Sequence, residues 1–111
     1  MELLIIILNK EEYFEKLISL LVEAGIDEAT ISDSEGVGHY LAYEVPIFAG
    51  LQQFVGESKS LNKTIMAVLE NKNIFTHFKK LLIDEKIDFT QPGMGVIVTV
   101  PINSAIRSRE E

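Results

Sequence analysis

Apolar residues fill every position of Leu3-Leu4-Ile5-Ile6-Ile7-Leu8 before the polar Asn9. A run of this length reads as a strand buried on both faces. It is far short of the ~20 residues needed to span a bilayer. The period then changes. Phe14, Leu17, Ile18 and Leu21 recur at i, i+3, i+4 and i+7, which places them on one helix face. Asn9 and Glu12 have capping-box spacing at the start of that segment, and Gly25 suits the position just past its end. The pattern predicts a helix over 10–24. Ala29-Thr30-Ile31-Ser32 alternates as a short strand, and Gly36-Val37-Gly38 breaks it.

Residues 39–62 show no long period. The stretch is nevertheless rich in Tyr40, Tyr43, Val45, Ile47, Phe48, Leu51 and Phe54, so its composition is not that of a solvated linker. Phe48, Leu51, Phe54 and Val55 can share a short helix face. Thr64 to Leu69 reads as a third strand. Asn71 or Asn73 then caps a second helix whose inner face carries Ile74, Phe78, Leu81 and Leu82. Lys79, Lys80 and Lys86 fall toward its C-terminal end, where cations suit the macrodipole. Asp88 to Gln91 leads into Gly93-Met94-Gly95 and the β-branched run Val96 to Val100, which Pro101 ends.

The resulting order is strand, helix, strand, strand, helix, strand. This is the split βαβ, or ferredoxin-like, plan: an α+β domain with a four-stranded antiparallel sheet and two helices on one face. A chain of 111 residues fits one such domain. Two helices cover one face only, yet the first and last strands are apolar on both. The second face therefore calls for a cover, and another copy of the chain is the simplest one.

Charge and composition narrow the function. The net charge of −7 argues against nucleic-acid binding, which needs a basic surface. Cysteine is absent, which removes thiol nucleophiles, thiolate metal sites and disulfides. No basic segment precedes the first apolar run, so no signal peptide is read and a cytoplasmic location is expected. His39 and His77 are too far apart in the chain to indicate a metal centre. Glu11, Glu12, Asp84 and Glu85 read as solvated helix ends. No nucleophile–base or paired-carboxylate arrangement stands out, so the chain is not expected to be an enzyme.

The candidate chemistry lies near the C-terminus. Gly93 and Gly95 can let backbone N–H groups approach an anion. Arg107 and Arg109 are the only arginines. At i and i+2 in extended chain they point to one side, and each can grip phosphate bidentately. A lone Gly-x-Gly is usually a turn and arginines near a terminus are usually solvated. Together after a core strand they suggest a phosphate clamp.

These residues resemble the PII signal-transduction (nitrogen regulatory protein P-II) family. That family has a glycine-x-glycine loop, a last core strand, a proline and an Arg-x-Arg tail, here Gly93-Met94-Gly95, Val96 to Val100, Pro101 and Arg107-Ser108-Arg109. Gly25, Thr30 and Gly36-Val37-Gly38 match its first half. The resemblance implies a homotrimer without a prosthetic group. ATP, ADP or AMP would act as effector ligand in the clefts between subunits. A loop at about 39–62, a glycine-bearing loop at about 88–95 and a C-terminal segment at 102–111 are implied as well. Thr30 would contact the adenine, and Gly36, Val37 and Gly38 would border the cleft. Gly93, Met94 and Gly95 would present backbone to the phosphates, which Arg107 and Arg109 would hold. The 39–62 loop, through Tyr40, Tyr43, Phe48, Leu51 and Phe54, would dock on a membrane transporter or a metabolic enzyme. Two departures are visible. Val96 stands where the family has a phosphate-binding lysine, and Tyr40 stands where it has a glutamine needed for magnesium and 2-oxoglutarate. A PII-like protein is therefore expected rather than an orthodox nitrogen regulator, with ADP or AMP competing well against ATP. The alternatives sharing this plan are a CutA-like metal-binding trimer, an ACT-like amino-acid-binding module and a small ferredoxin-like isomerase.

Overall fold

The computed structural model describes residues 1–52 and 62–108. Four strands form one antiparallel sheet: β1 (Glu2–Leu8), β2 (Ala29–Ser34), β3 (Asn62–Leu69) and β4 (Gly95–Pro101). Their spatial order is β2-β3-β1-β4. With α1 (Phe14–Glu23) after β1 and α3 (Lys72–Asp84) after β3, this arrangement is compatible with the ferredoxin-like plan. A further helix, α2 (Val37–Glu44), follows β2, and a 3-10 segment covers Pro46–Leu51.

Alternation along the strands sorts the side chains. Leu4, Ile6 and Leu8 of β1 and Ile65, Ala67 and Leu69 of β3 are buried. They meet Leu17, Leu20 and Leu21 of α1 and Phe78 and Leu82 of α3 in one core. The first strand was expected to be buried on both faces. In the single chain Leu3, Ile5 and Ile7 are only half-buried. Beside them, Met66, Val96, Val98 and Val100 are 40–44% exposed. Register places Ile5 opposite both Met66 and Val98, and Leu3 opposite both Val68 and Val100. The face away from the core is therefore a contiguous apolar surface with no helix over it among the described residues.

Both βα units end in the same way. After α1, Gly25 has φ +90°, and Ile26 N–H reaches back to the Leu21 carbonyl at 2.8 Å. After α3, Lys86 has φ +59°, and Ile87 N–H reaches the Leu82 carbonyl at 2.9 Å. Each is a Schellman closure with an isoleucine buried beyond it. Gly25 confirms the expected stop. Lys86 occupies the equivalent left-handed position, which disfavours a Cβ.

Two expected caps turn out differently. Asn71 does cap α3, accepting from Asn73 and Ile74 N–H. Asn9 does not cap α1, because its backbone N–H donates to the Met94 carbonyl and its side chain accepts from Asn62. That helix starts instead through a 3-10 turn at Glu11–Tyr13. No basic residue falls in the last turn of α3, and Lys86 lies beyond it.

Replacing Lys86 with glycine relieves the left-handed backbone and is expected to stabilise the fold by about 1 kcal/mol. Gly95→Ala is expected to cost about 2–4 kcal/mol, because a Cβ there would lie 1.9 Å from the Ile7 carbonyl oxygen at φ +130°. Urea unfolding of the two variants checks both signs.

Candidate functional site

The described candidate residues fall at three places on the sheet. One end gathers the glycines. β1 ends at Leu8, which pairs with both Lys63 and Gly95, and Ser34 pairs with Asn62. Gly36, two residues past Ser34, caps α2 with an extended backbone (φ −73°, ψ 152°). A Cβ on Gly36 would have Asn62 Nδ2 as its nearest neighbour, at 3.8 Å. Gly36 and the Gly93–Gly95 turn thus belong to one rim.

That rim is polar and organised. Asn62 Nδ2 donates to Asn9 Oδ1 at 2.8 Å, and Ser34 Oγ and Thr64 Oγ1 lie 2.6 Å apart. Lys63 Nζ lies 2.5 Å from Asp33 and 4.0 Å from Glu11. Its hydrogen bond to Asp33 raises the lysine pKa, with the charges of Asp33 and Glu11 adding to the effect and desolvation opposing it. Asn62 and Lys63 were not singled out from the sequence, and Asn9 was read there only as a helix cap. Only register brings residues separated by about fifty positions to one rim.

The three residues of the glycine turn do different jobs. Met94 is buried, so its side chain belongs to the core. Gly95 is required by the close approach of β1. Gly93, at φ +79°, turns the chain and lies beside the Lys10 side chain. The preceding loop is tied by Asp88, whose carboxylate accepts from Thr90 N–H at 2.8 Å and Thr90 Oγ1 at 2.6 Å. The hydrogen bonds of Thr90, then of Gln91, hold the Asp88 pKa below its ordinary value.

Arg107 stands at the opposite end. Glu2 pairs with Leu69 and with Pro101 there, six residues along each strand from the glycine end. At ~3.4 Å per residue this separates the ends by roughly 20 Å. Arg107 Nη2 donates to Glu70 Oε1 just past β3. The two border a groove of about 560 Å³ lined also by Asp27, Glu28 and Ile74. One chain therefore does not bring Gly93–Gly95 and Arg107 together. Arg109 lies outside the described residues.

Thr30 occupies the third place. It is exposed on β2 and pairs with Met66, midway along the open face. The 39–62 segment, which shows no long period but allows a short helix face at Phe48, Leu51, Phe54 and Val55, has regular structure in its described first part. Val37, Gly38, Tyr40 and Tyr43 lie in α2, while Phe48 and Leu51 lie in the 3-10 segment. The cause is local: Pro46 forces Val45 into extended backbone (φ −118°, ψ 107°), which ends one helical piece and starts the next. Gln52 Nε2 donates to the Ala42 carbonyl at 2.9 Å and folds the pieces together. Tyr40 is 50% exposed, Tyr43 and Phe48 are each 41% exposed, and Ile47 is 84% exposed. Tyr43 stacks on His39 at 4.7 Å, and His39 contacts Glu35 at 2.6 Å. Phe54 lies outside the described residues.

Among the described residues no three His, Asp or Glu side chains are placed to hold a metal ion, and no helix is long and apolar enough to cross a membrane. No protein-family model matches the chain, and no curated protein matches it significantly.

The Asp88 turn carries a pH dependence. Its folded pKa is depressed, so its contribution is fully present above the unfolded value of about 3.9 and is lost as pH falls through the lower folded value. An NMR titration of the Asp88 carboxyl is expected to give a midpoint below 3.9, with the Thr90 amide resonance moving at the same pH. Asp88→Ala is expected to speed amide exchange across residues 88–94.

Proposed function

We propose that the chain is a PII-like cytoplasmic regulator that binds an adenine nucleotide between identical subunits. Its α2 and 3-10 arm would engage a partner transporter or enzyme. The observation that carries this reading is the split site: the glycine rim and Arg107 lie at opposite ends of one sheet, beside an apolar face left partly exposed among the described residues. Neighbouring copies can complete what one copy leaves apart. The glycine end of one subunit would meet the arginine end of the next, as in a trimer of ferredoxin-like subunits.

In this scheme the nucleotide phosphates lie against the Gly36 and Gly93 backbone. Arg107 of the neighbour closes over them, and Arg109 follows it. Thr30 faces the adenine. Glu70 competes for Arg107, so phosphate binding requires that ion pair to loosen. Coupling to the arm follows from position, because Gly36 is both cleft border and cap of α2. A nucleotide shifts the arm only by its differential affinity for the arm's conformations.

Calorimetry with ATP, ADP and AMP tests the reading. Arg107→Ala is expected to weaken binding about 10- to 100-fold, as loss of a charge-assisted hydrogen bond does. Glu70→Gln is expected to tighten binding, because it weakens a competing ion pair and removes a repelling carboxylate. Arg107→Ala and Gly36→Glu subunits, each weakened alone, are expected to regain parental affinity at about a quarter of the sites when mixed and reassembled at random. Absence of binding by all three nucleotides contradicts the reading, as does a mixture that stays weakened at every site.

A further inference from the structure

The helix side of the molecule carries a second concavity, remote from Arg107. It is a groove of about 800 Å³ between the C-terminal half of α3 and the 86–94 loop. Its size falls in the range of small-molecule sites. Tyr13, Leu82, Ile83, Ile87, Phe89 and Met94 give it an apolar lining. Lys10, Lys79 and Lys86 stand around that lining.

The charge arrangement is unusual for this chain. There are 17 acidic residues and only 10 basic ones. Lys16 pairs with Glu85 and Lys63 with Asp33, while Lys72 and Lys80 show no ion pair among the described residues. Lys10, Lys79 and Lys86 have no carboxylate within ion-pair distance among the described residues. Asp88 also lines the groove, its carboxylate hydrogen-bonded by Thr90 and Gln91, so one carboxylate stands beside the three lysines. Three ammonium groups thus surround an apolar cleft in an acidic protein, where spacing like charges apart or pairing them would be cheaper. The Lys79 ammonium lies 5.1 Å from the centre of the Phe75 ring, and the Lys10 stem passes the bare Gly93.

We propose that this groove binds a small amphipathic anion, a carboxylate or monophosphate on an aliphatic or aromatic body. The body would lie on Leu82, Ile83 and Phe89, and the anionic head would meet the three ammonium groups. Lysines act as point charges rather than bidentate forks, which suits a single compact head and not an extended polyphosphate. The proposal does not depend on nucleotide binding at the subunit boundary.

The test is an amide NMR titration of the full chain with octanoate and with octyl phosphate, using octanol as the neutral control. Saturable shifts are expected at residues 10, 13, 79, 82–83 and 86–91 for at least one anion, and they should be at least tenfold weaker for octanol. The Lys79→Gln/Lys86→Gln double variant changes two exposed side chains, and its thermal midpoint serves as the folding control. It is expected to lose affinity for the anion at least tenfold. The carboxylate and phosphate arms show which head is preferred. Absence of saturable groove shifts with both anions overturns the proposal. So do shifts confined to the open sheet face, equal binding of octanol, and a folded double variant that binds as tightly as the parent.

Discussion

A four-stranded sheet with helices on one side leaves its other side to be accounted for, and in this chain that side is apolar. Leu3, Ile5 and Ile7 run down the middle, flanked by Met66 and Val68 on one strand and Val96, Val98 and Val100 on the other. Water contact with such a surface is unfavourable in proportion to its area. The strands gain nothing by carrying branched aliphatics there unless something covers them. The same register that builds the core on one face, through Leu4, Ile6, Ile65 and Leu69, fixes this surface on the other, because a strand alternates.

That constraint organises the candidate chemistry. Each strand pair runs from the glycine rim to the arginine end, so the sheet itself holds the two groups of residues apart. Gly95 cannot move toward Arg107 without unpairing β4 from β1. Self-association therefore does two things in the proposed scheme. It covers the apolar face, and it apposes ends that a single chain keeps roughly 20 Å apart. The Glu70–Arg107 pair then reads as a contact that an anionic ligand must displace.

Much of the framework was legible from residue patterning. The period of 3.6 in Phe14, Leu17, Ile18 and Leu21, the β-branched run after Gly95, the stop at Gly25 and the cap at Asn71 each rest on local physics, and each appears in the structure. What was not legible depends on contacts far apart in sequence. Asn9 has capping-box spacing, but a strand edge and Asn62 claim its polar groups. Lys86 in the left-handed position gives no composition signal, since it fills a place where glycine is usual. The helical start of the 39–62 segment was hidden because α2 packs chiefly against its own 3-10 continuation, so no apolar stripe marks it. Gly95 was read for its openness to ligands. Its first obligation is to let the β1 backbone pass.

If identical chains bury the open face between them, as proposed, the mass of the particle in solution must exceed that of one chain. Sedimentation equilibrium at micromolar concentration should give three times the 12.5 kDa chain mass, about 37.5 kDa. A single species of one chain mass at those concentrations would contradict the account.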